Sequence, residues 1–150
     1  MTELPQRKKL PHQVPNWVPD GEIYFITINC KQRGINQLTT PYVFEAIKAS
    51  AANYSERNLW HIRLMLIMPD HIHCLMTLNT REKSISTIIG GWKRYLNKTN
   101  PITWQSSYFE HRIRNQDELM EKEEYIRLNP VRAGLCKNHG DWAYIIRDPR

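Results

Sequence analysis

A chain of 150 residues with 41% hydrophobic and 24% charged side chains is long enough for one domain with a real core, too short for two domains of ordinary size and too apolar to be disordered. Its 21 lysines and arginines against 15 acidic residues give a net charge of +6, which is compatible with a nucleic-acid partner without establishing one. Three widely spaced cysteines argue against a disulfide framework or a cysteine zinc site. With no apolar run of signal-peptide or membrane-span length, we expect a cytoplasmic protein.

The first 20 residues are predicted to form an extended arm in front of a single domain over residues 21–150. Prolines recur in this arm among basic and polar residues, and proline favours extended backbone. Arg7, Lys8 and Lys9 are candidates for contacts with phosphates, and a solvated tail is the alternative.

The first strand is predicted over Glu22 to Cys30, a segment rich in aromatic and β-branched residues that places Tyr24, Ile26, Ile28 and Cys30 on one side. Thr40 is placed to cap a helix that begins at Pro41 and carries apolar residues at helical spacing. We expect this helix to end between residues 53 and 58, and a second strand to run from Trp60 to Met68.

The third strand, His71 to Leu78, carries the most informative residues of the chain. A Pro69-Asp70 pair predicts a turn before it, so this strand should return antiparallel to the second. Side chains alternate across a strand, which places His71 and His73 on one face and apolar residues on the other. Two imidazoles on a rigid strand make half of a metal site, although such a pair also occurs on polar strand faces that bind nothing.

Ser84 is placed to cap a second amphipathic helix with a stripe of isoleucines, Trp92 and Leu96. Lys93 and Arg94 are expected on the other side of this helix, as a solvated face or as part of a phosphate-binding surface.

A fourth strand is predicted from Ser107 to Arg114, with Arg112 and Arg114 neighbouring on one face, where an arginine pair suits bidentate phosphate contacts. The order strand, helix, strand, strand, helix, strand indicates an α+β fold, a ferredoxin-like antiparallel sheet with two helices on one face.

The histidine face of this sheet then needs a cover of its own, and a third long helix is the element left to provide it. Asn115 and Glu118 form a capping-box-like start, and Pro130 is expected to end the helix. Tyr125 and Asn129 are spaced to project from the same side. Docked on the histidines, Asn129 would offer an amide oxygen as third metal ligand and Tyr125 its hydroxyl. A half-buried amphipathic tyrosine is the alternative.

Four motifs in order, MPDHIHCLM, GWKRYLN, WQSSYFEHRIRN and EEYIRLNPVRAGL, resemble the REP-associated tyrosine transposases, relatives of the single-tyrosine HUH transposases of small bacterial insertion sequences. HUH denotes His, hydrophobic, His, which His71, Ile72 and His73 match. The resemblance runs from about Tyr24 to Trp142. It implies the HUH endonuclease fold, with a nucleophile-bearing C-terminal helix on the second face of the sheet.

The resemblance also implies a metal-dependent endonuclease and strand transferase that cleaves single-stranded DNA near a REP-like hairpin through a covalent 5′-phosphotyrosine. By their positions in the motifs, His71 and His73 match the metal-binding pair and Tyr125 the nucleophile. Asn129 matches a third polar ligand, with Glu121, one turn before Tyr125, as a competitor. Two histidines and an amide oxygen suit Mg²⁺ or Mn²⁺.

The implied partner is single-stranded or hairpin DNA at the nucleoid, with no membrane, and both a monomer and a homodimer stay open. Phosphate contacts are expected from the basic residues Arg7, Lys8, Lys9, Lys93, Arg94, Arg112, Arg114 and Arg132.

Two other functions stay open. A catalytically inactive module that binds hairpin DNA would bind equally well with tyrosine or phenylalanine at position 125. A metal hydrolase would use His71, His73 and either His61 or His111 around zinc, with Tyr125 incidental.

Overall fold

The structure is a computed structural model that describes residues 14–19 and 21–149. Arg7, Lys8 and Lys9 therefore lie outside the described residues. The elements in chain order are β1 (Ile23–Asn29), α1 (Pro41–Glu56), β2 (Trp60–Ile67), β3 (His71–Leu78), α2 (Ile85–Asn97), β4 (Phe109–Arg112), α3 (Gln116–Arg127), α4 (Asn129–Arg132), a single 3₁₀ turn (His139–Asp141) and β5 (Ile145–Ile146).

The strands form one five-stranded sheet in the order β4-β1-β3-β2-β5, and each neighbouring pair is antiparallel. The order of the first four strands confirms the predicted ferredoxin-like α+β fold. In the register of the central pair, Thr27 lies opposite His73 and Asn29 opposite His71. The two histidines therefore stand over the middle of the sheet, where strands on both sides hold their backbone.

Three side chains cap the long helices as predicted. Thr40, Ser84 and Asn115 have extended backbone, and each accepts a hydrogen bond from the backbone N–H three residues later. Each cap satisfies a helix N–H that has no partner within the helix, which explains why these helices begin where they do.

Two apolar layers cover the two faces of the sheet. On one face, Ile72, Cys74 and Met76 of β3 pack in a cluster with residues of α1 and α2. On the other face, Leu119 and Ile126 of α3 pack against Phe25, Leu66 and Leu75, among others. The alternation of β3 and the cover of the histidine face by α3 are both as predicted.

The end of α3 differs from the prediction that Pro130 terminates it. The helix already ends at Arg127, and Leu128 is its C-cap. A further helical turn, α4, then begins at Asn129 with Pro130 near its start. Proline is favoured in the first turn of a helix, where its missing N–H would have no partner, so Pro130 initiates this turn.

Both edge strands also differ from the prediction. β4 is limited to Phe109–Arg112, shorter than the predicted Ser107 to Arg114. The C-terminal segment, expected to be a tail anchored by Trp142, adds β5, in which Ile145 and Ile146 pair with Leu66 and Met65. Its anchor is as expected, because the Trp142 indole donates a hydrogen bond of 3.0 Å to the Ile67 carbonyl. In the described part of the chain, no helix combines the length and hydropathy needed to cross a bilayer.

Candidate active site

A cleft of about 480 Å³ lies between the end of β1, the start of β3 and the α3–α4 junction. Its lining includes His71, His73, Tyr125 and Asn129. Four side chains that the sequence singled out from two separate segments are thus brought to one place. The lining also includes two arginines, Arg33 and Arg132, of which only Arg132 was predicted to act here at all, as a phosphate contact.

The histidine rings stand close together and each is fixed through its Nδ1 atom. The ring centroids are 4.8 Å apart, with an angle of 76° between the planes. Nδ1 of His71 is 2.7 Å from Oδ1 of Asp70, and because a carboxylate only accepts, Nδ1 carries the proton and Nε2 the lone pair. Nδ1 of His73 is 2.9 Å from the Thr27 hydroxyl, which accepts from it in the tautomer that leaves its Nε2 a lone pair. Such partners orient histidine ligands in metal sites.

His73 is held in its neutral form. Burial is the main cause that lowers its pKa to about 3, and the neighbouring His71, Arg132 and Arg33 add to the effect. A neutral imidazole is the form that binds a metal ion, so His73 needs no proton loss at neutral pH.

Asp70 joins His71 to the loop after β1. Burial raises the pKa of its carboxyl, but hydrogen bonds from Gly34 N, His71 and Arg33 outweigh burial and hold the pKa at about 2. The contacts are 2.7 Å to Gly34 N and 3.0 Å to Arg33 Nε. Sequence reasoning read Asp70 only as a turn residue and missed Thr27 and Arg33, because strand register and loop path bring these residues to the histidines.

Tyr125 lies at the edge of the His73 ring. The two ring centroids are 5.7 Å apart at 69°, and the Phe25 ring packs edge-on at 6.2 Å. The guanidinium carbon of Arg132 is 4.5 Å from the centre of the Tyr125 ring, and Nη2 of Arg132 donates to the Tyr125 carbonyl at 2.6 Å. Tyr125 is nevertheless 45% exposed. It is thus held by its ring and backbone while remaining open to a solvent-borne substrate, unlike a structural core tyrosine.

The donor set of the cleft fits a divalent metal ion with mixed nitrogen and oxygen ligands. In residues 14–19 and 21–149, no group of three or more His, Cys, Asp and Glu side chains is arranged to hold a metal. Asn129 and Asn29 line the cleft with His71 and His73, whereas the competing Glu121 does not, so an amide oxygen is available there as a third ligand.

The two candidates for the third zinc ligand of the hydrolase alternative, His61 and His111, lie outside this cleft. His61 faces Asp148, with 3.9 Å between Nδ1 and Oδ2, and His111 forms a 2.6 Å contact with Glu118. Neither lines the cleft of His71 and His73.

Lys93 is not on the solvent side of α2, contrary to the prediction. It is 8% exposed, and its ammonium group donates a 2.8 Å hydrogen bond to the Gln105 carbonyl. Burial lowers its pKa. Lys93 is one turn after Ile89 and next to Trp92, at the border of the apolar stripe, where a long aliphatic stem can pack while the charged end reaches a carbonyl.

The other predicted DNA contacts in the described residues are exposed. Arg94 lies on the outer side of α2. Arg112 is 3.6 Å from Glu22 and Arg114 is 3.7 Å from Glu118, in surface ion pairs that DNA phosphates could replace. Of this set, Arg132 alone lines the cleft.

The fold and the cleft together define a tyrosine transposase. Residues 22–129 match the family described as "Transposase IS200 like", and the chain belongs to that family. It is 27% identical to the REP-associated tyrosine transposase of Escherichia coli (strain K12) over 126 residues, which is 83% of this chain and 75% of that protein.

Solved structures give the same result for the fold. The structure of a REP-associated tyrosine transposase bound to a REP hairpin matches with a TM-score of 0.72 and 26% identity, over 97% of this chain and 82% of that one. A protein of Deinococcus radiodurans R1 matches with a TM-score of 0.51 and 19% identity, over 80% of this chain and 95% of that one, and shares the fold.

Proposed function

We propose that this transposase cleaves and rejoins single-stranded DNA beside a hairpin, through a covalent bond between Tyr125 and a 5′-phosphate. The observation that carries the proposal is the cleft in which Tyr125 adjoins His73, at 5.7 Å between ring centroids, next to His71 and Asn129. The hairpin as substrate is supported by the REP hairpin bound to the structurally similar transposase.

The metal proposed for this site is Mg²⁺ or Mn²⁺, with His71, His73 and Asn129 as its protein ligands. When bound, a divalent cation polarises the phosphodiester and offsets negative charge in the transition state. The chain prepares for it by keeping His73 neutral and by fixing both rings through Thr27 and Asp70.

The chemical step falls to Tyr125. Its hydroxyl oxygen bonds to phosphorus as the proton leaves to solvent, while the bond from phosphorus to the 3′ oxygen breaks and that oxygen takes up a proton. One phosphate ester replaces another, so the reverse reaction can join a strand without an added energy source. The exposure of Tyr125 leaves room for a DNA strand in the cleft.

Binding of the DNA backbone is proposed for Arg94, Arg112, Arg114 and Arg132, together with Arg7, Lys8 and Lys9 of the arm. Each neutralised phosphate contact contributes about one to the slope of log affinity against log salt concentration, so neutral variants should lower that slope. Buried Lys93 instead serves the packing of α2 on the segment at Gln105. The arm and the single domain are proposed to act at the nucleoid in the cytoplasm.

The test is a denaturing gel of the protein with end-labelled single-stranded hairpin DNA from the flank of its own gene, with Mg²⁺ or Mn²⁺. We expect a labelled protein adduct that requires the metal and is lost in Tyr125→Phe. Tyr95→Phe is the matched control, because Tyr95 is also an exposed tyrosine, on α2 and outside the cleft, and its loss should leave the adduct unchanged.

Two other results would each replace the proposal. Cleavage without an adduct, or cleavage that survives in Tyr125→Phe, would indicate a hydrolase that uses the histidines with Tyr125 incidental. Binding of hairpin DNA that stays intact with every metal, and is equal for the natural chain and for Tyr125→Phe, would indicate a binding module without catalytic activity. The mass of the protein in solution, with and without DNA, distinguishes a monomer from a homodimer.

A further inference from the structure

Two guanidinium groups reach the candidate active site from separate segments of the chain. Arg33 stands in the loop between β1 and α1, and Arg132 in α4. Both side chains line the cleft that also holds His71, His73 and Tyr125. Of the described residues that line the cleft, none is a carboxylate. The lining thus carries two guanidinium groups and no carboxylate of its own, while Asp70, just outside it, pairs with Arg33.

The loop that carries Arg33 is built to hold it there. Arg33 Nε donates to Oδ2 of Asp70 at 3.0 Å, and the next residue, Gly34, donates its N–H to the same oxygen at 2.7 Å. Gly34 has φ +82°, a left-handed conformation that favours glycine and lets the loop turn towards β3. These two hydrogen bonds to Asp70 fix Arg33 at the cleft, unlike an arginine that is held only by solvent.

The ties of Arg33 leave N–H groups available for a ligand. Nη2 of Arg33 is 3.5 Å from Nδ1 of His71, but that nitrogen already donates to Asp70 and so has no lone pair to offer. The side chain of Arg33 is 55% exposed. A guanidinium has five donors in a planar fork that matches the oxygens of a phosphate.

Arg132 is arranged in the same way beside the tyrosine. One of its terminal nitrogens donates to the Tyr125 carbonyl at 2.6 Å, and its guanidinium group lies over the Tyr125 ring. The residue is exposed, so its remaining donors are open to the cleft. Arg132 therefore presents a fixed positive charge over the ring of the tyrosine that is proposed to attack.

We propose that Arg33 and Arg132 form a two-arginine clamp that binds the DNA backbone phosphate presented to Tyr125, independently of the metal ion. The clamp holds the phosphodiester between the histidine side and the tyrosine side of the cleft before the strand is cut. This assignment rests on the proposed function, because it takes the DNA backbone as its ligand.

The test measures binding without chemistry. In Tyr125→Phe protein with the metal removed by chelator, Arg33→Gln and Arg132→Gln should each weaken binding of the labelled hairpin strand about tenfold and lower the salt slope by about one. In Arg33→Gln the amide nitrogen takes the position of Nε and can still donate to Asp70, so the change removes mainly charge. Arg132→Gln removes both the charge and the contact that Nη2 makes with the Tyr125 carbonyl.

Arg57→Gln is the matched control. Arg57 is an exposed arginine that also lies over a tyrosine ring, at 5.3 Å from the centre of Tyr54, and also donates to a residue of the preceding helix, Asn53. It is outside the cleft, and its loss should leave binding unchanged. Thermal unfolding of each variant establishes that it is folded. If a glutamine variant is unfolded, the lysine variant replaces it, with the charge retained and binding weakened less.

The contacted phosphate is located by replacing one linkage at a time with a neutral methylphosphonate. At one linkage, we expect the methylphosphonate to weaken DNA binding by the Tyr125→Phe protein as much as an arginine change does. At that same linkage it should not weaken DNA binding further when Arg33→Gln or Arg132→Gln is also present. Effects that add at every linkage, or glutamine variants that bind like Arg57→Gln, would overturn the clamp. If the natural chain forms no adduct but the arginine and methylphosphonate effects remain coupled, the catalytic mechanism is wrong and the clamp is retained.

Discussion

Thr27 is the side chain on which the orientation of His73 depends. It lies directly opposite His73 across β1 and β3, and its hydroxyl is 2.9 Å from Nδ1. Thr27→Val keeps the shape and the β-branched character of the residue but removes the hydroxyl, so the ring loses its preferred tautomer. We expect affinity for Mn²⁺ to fall about 10- to 100-fold, as measured by titration calorimetry, because outer partners of metal ligands have effects of this size.

Thr27→Ser is the control, since it restores the hydroxyl and should restore most of the Mn²⁺ affinity. Thr27→Val should also lower the free energy of unfolding by about 1–3 kcal/mol, because a buried ring nitrogen loses its partner. Unchanged Mn²⁺ affinity in a folded Thr27→Val protein would mean that His73 is not a metal ligand.

Several site residues could be found from sequence because their signals are local. His71 and His73 are two positions apart on a strand, and Tyr125 and Asn129 are four apart near a helix end, so each pair was placed without tertiary information. Arg33 has no such signal. Its place beside His71 depends on how the loop after β1 folds back onto the turn before β3, which is set by contacts distant in sequence.

At the scale of single elements, the first turn of α3 depends on Glu118. Its Oε1 accepts from the Arg114 N–H at 2.8 Å, and its Oε2 is 2.6 Å from Nε2 of His111 on β4. Asn115 completes the cap by accepting from the Glu118 N–H at 2.8 Å. These contacts join the start of α3, the helix that carries Tyr125, to the edge strand β4.

Glu118 should make the stability of this element depend on pH. The backbone N–H of Arg114 is the main cause that lowers the pKa of Glu118, followed by the hydrogen bond with His111. A carboxyl with a lowered folded-state pKa stabilises the fold above its ordinary pKa of 4.5 and loses that contribution as pH falls through the lowered value. The difference in free energy of unfolding between the natural chain and Glu118→Gln should therefore be largest at neutral pH and shrink in acid.

Urea unfolding at a series of pH values measures this difference. Asp117→Asn is the neighbouring control, because Asp117 is an exposed acid in the same turn, and its difference should be smaller. A Glu118→Gln difference that stays constant from neutral pH into acid would show that the carboxylate charge does not hold the helix start.

Element starts were predictable and element ends less so. Thr40, Ser84 and Asn115 are cap residues whose chemistry acts within one turn, and the structure confirms each. The end of α3 at Arg127 and the burial of Lys93 were not read correctly. The burial of Lys93 depends on a tertiary contact, because its aliphatic stem packs while its ammonium group donates to the Gln105 carbonyl. The end of α3 is set locally, where Leu128 is the C-cap and Pro130 starts the next turn.

At the scale of the whole molecule, the C-terminal segment pairs with the outer edge of β2. This pairing could not be predicted from the sequence. A strand of two residues, Ile145 and Ile146, has too few positions for an alternating pattern, and it forms only because Leu66 and Met65 offer free backbone groups. β1, β2 and β3, by contrast, each carry an alternating or continuous apolar pattern over seven or eight residues, which is long enough to predict a strand.

Asp148 locks this segment onto both the sheet and α1. Its Oδ2 accepts from the Ser55 hydroxyl and from the Ile62 N–H, both at 2.7 Å. Asp148→Ala leaves these donors without that acceptor, so we expect the free energy of unfolding in urea to fall by about 2 kcal/mol. Because Asp148 does not line the cleft, the adduct yield of the folded fraction should not change.

Asp141→Ala is the control. It removes an exposed carboxylate of the same segment that has a 3.5 Å contact with Asn138, and it should lower the free energy of unfolding by less than about 0.5 kcal/mol. Equal losses for the two variants would show that Asp148 does not anchor the segment, and a loss of adduct yield in folded Asp148→Ala would show that the edge of the sheet acts on the tyrosine cleft.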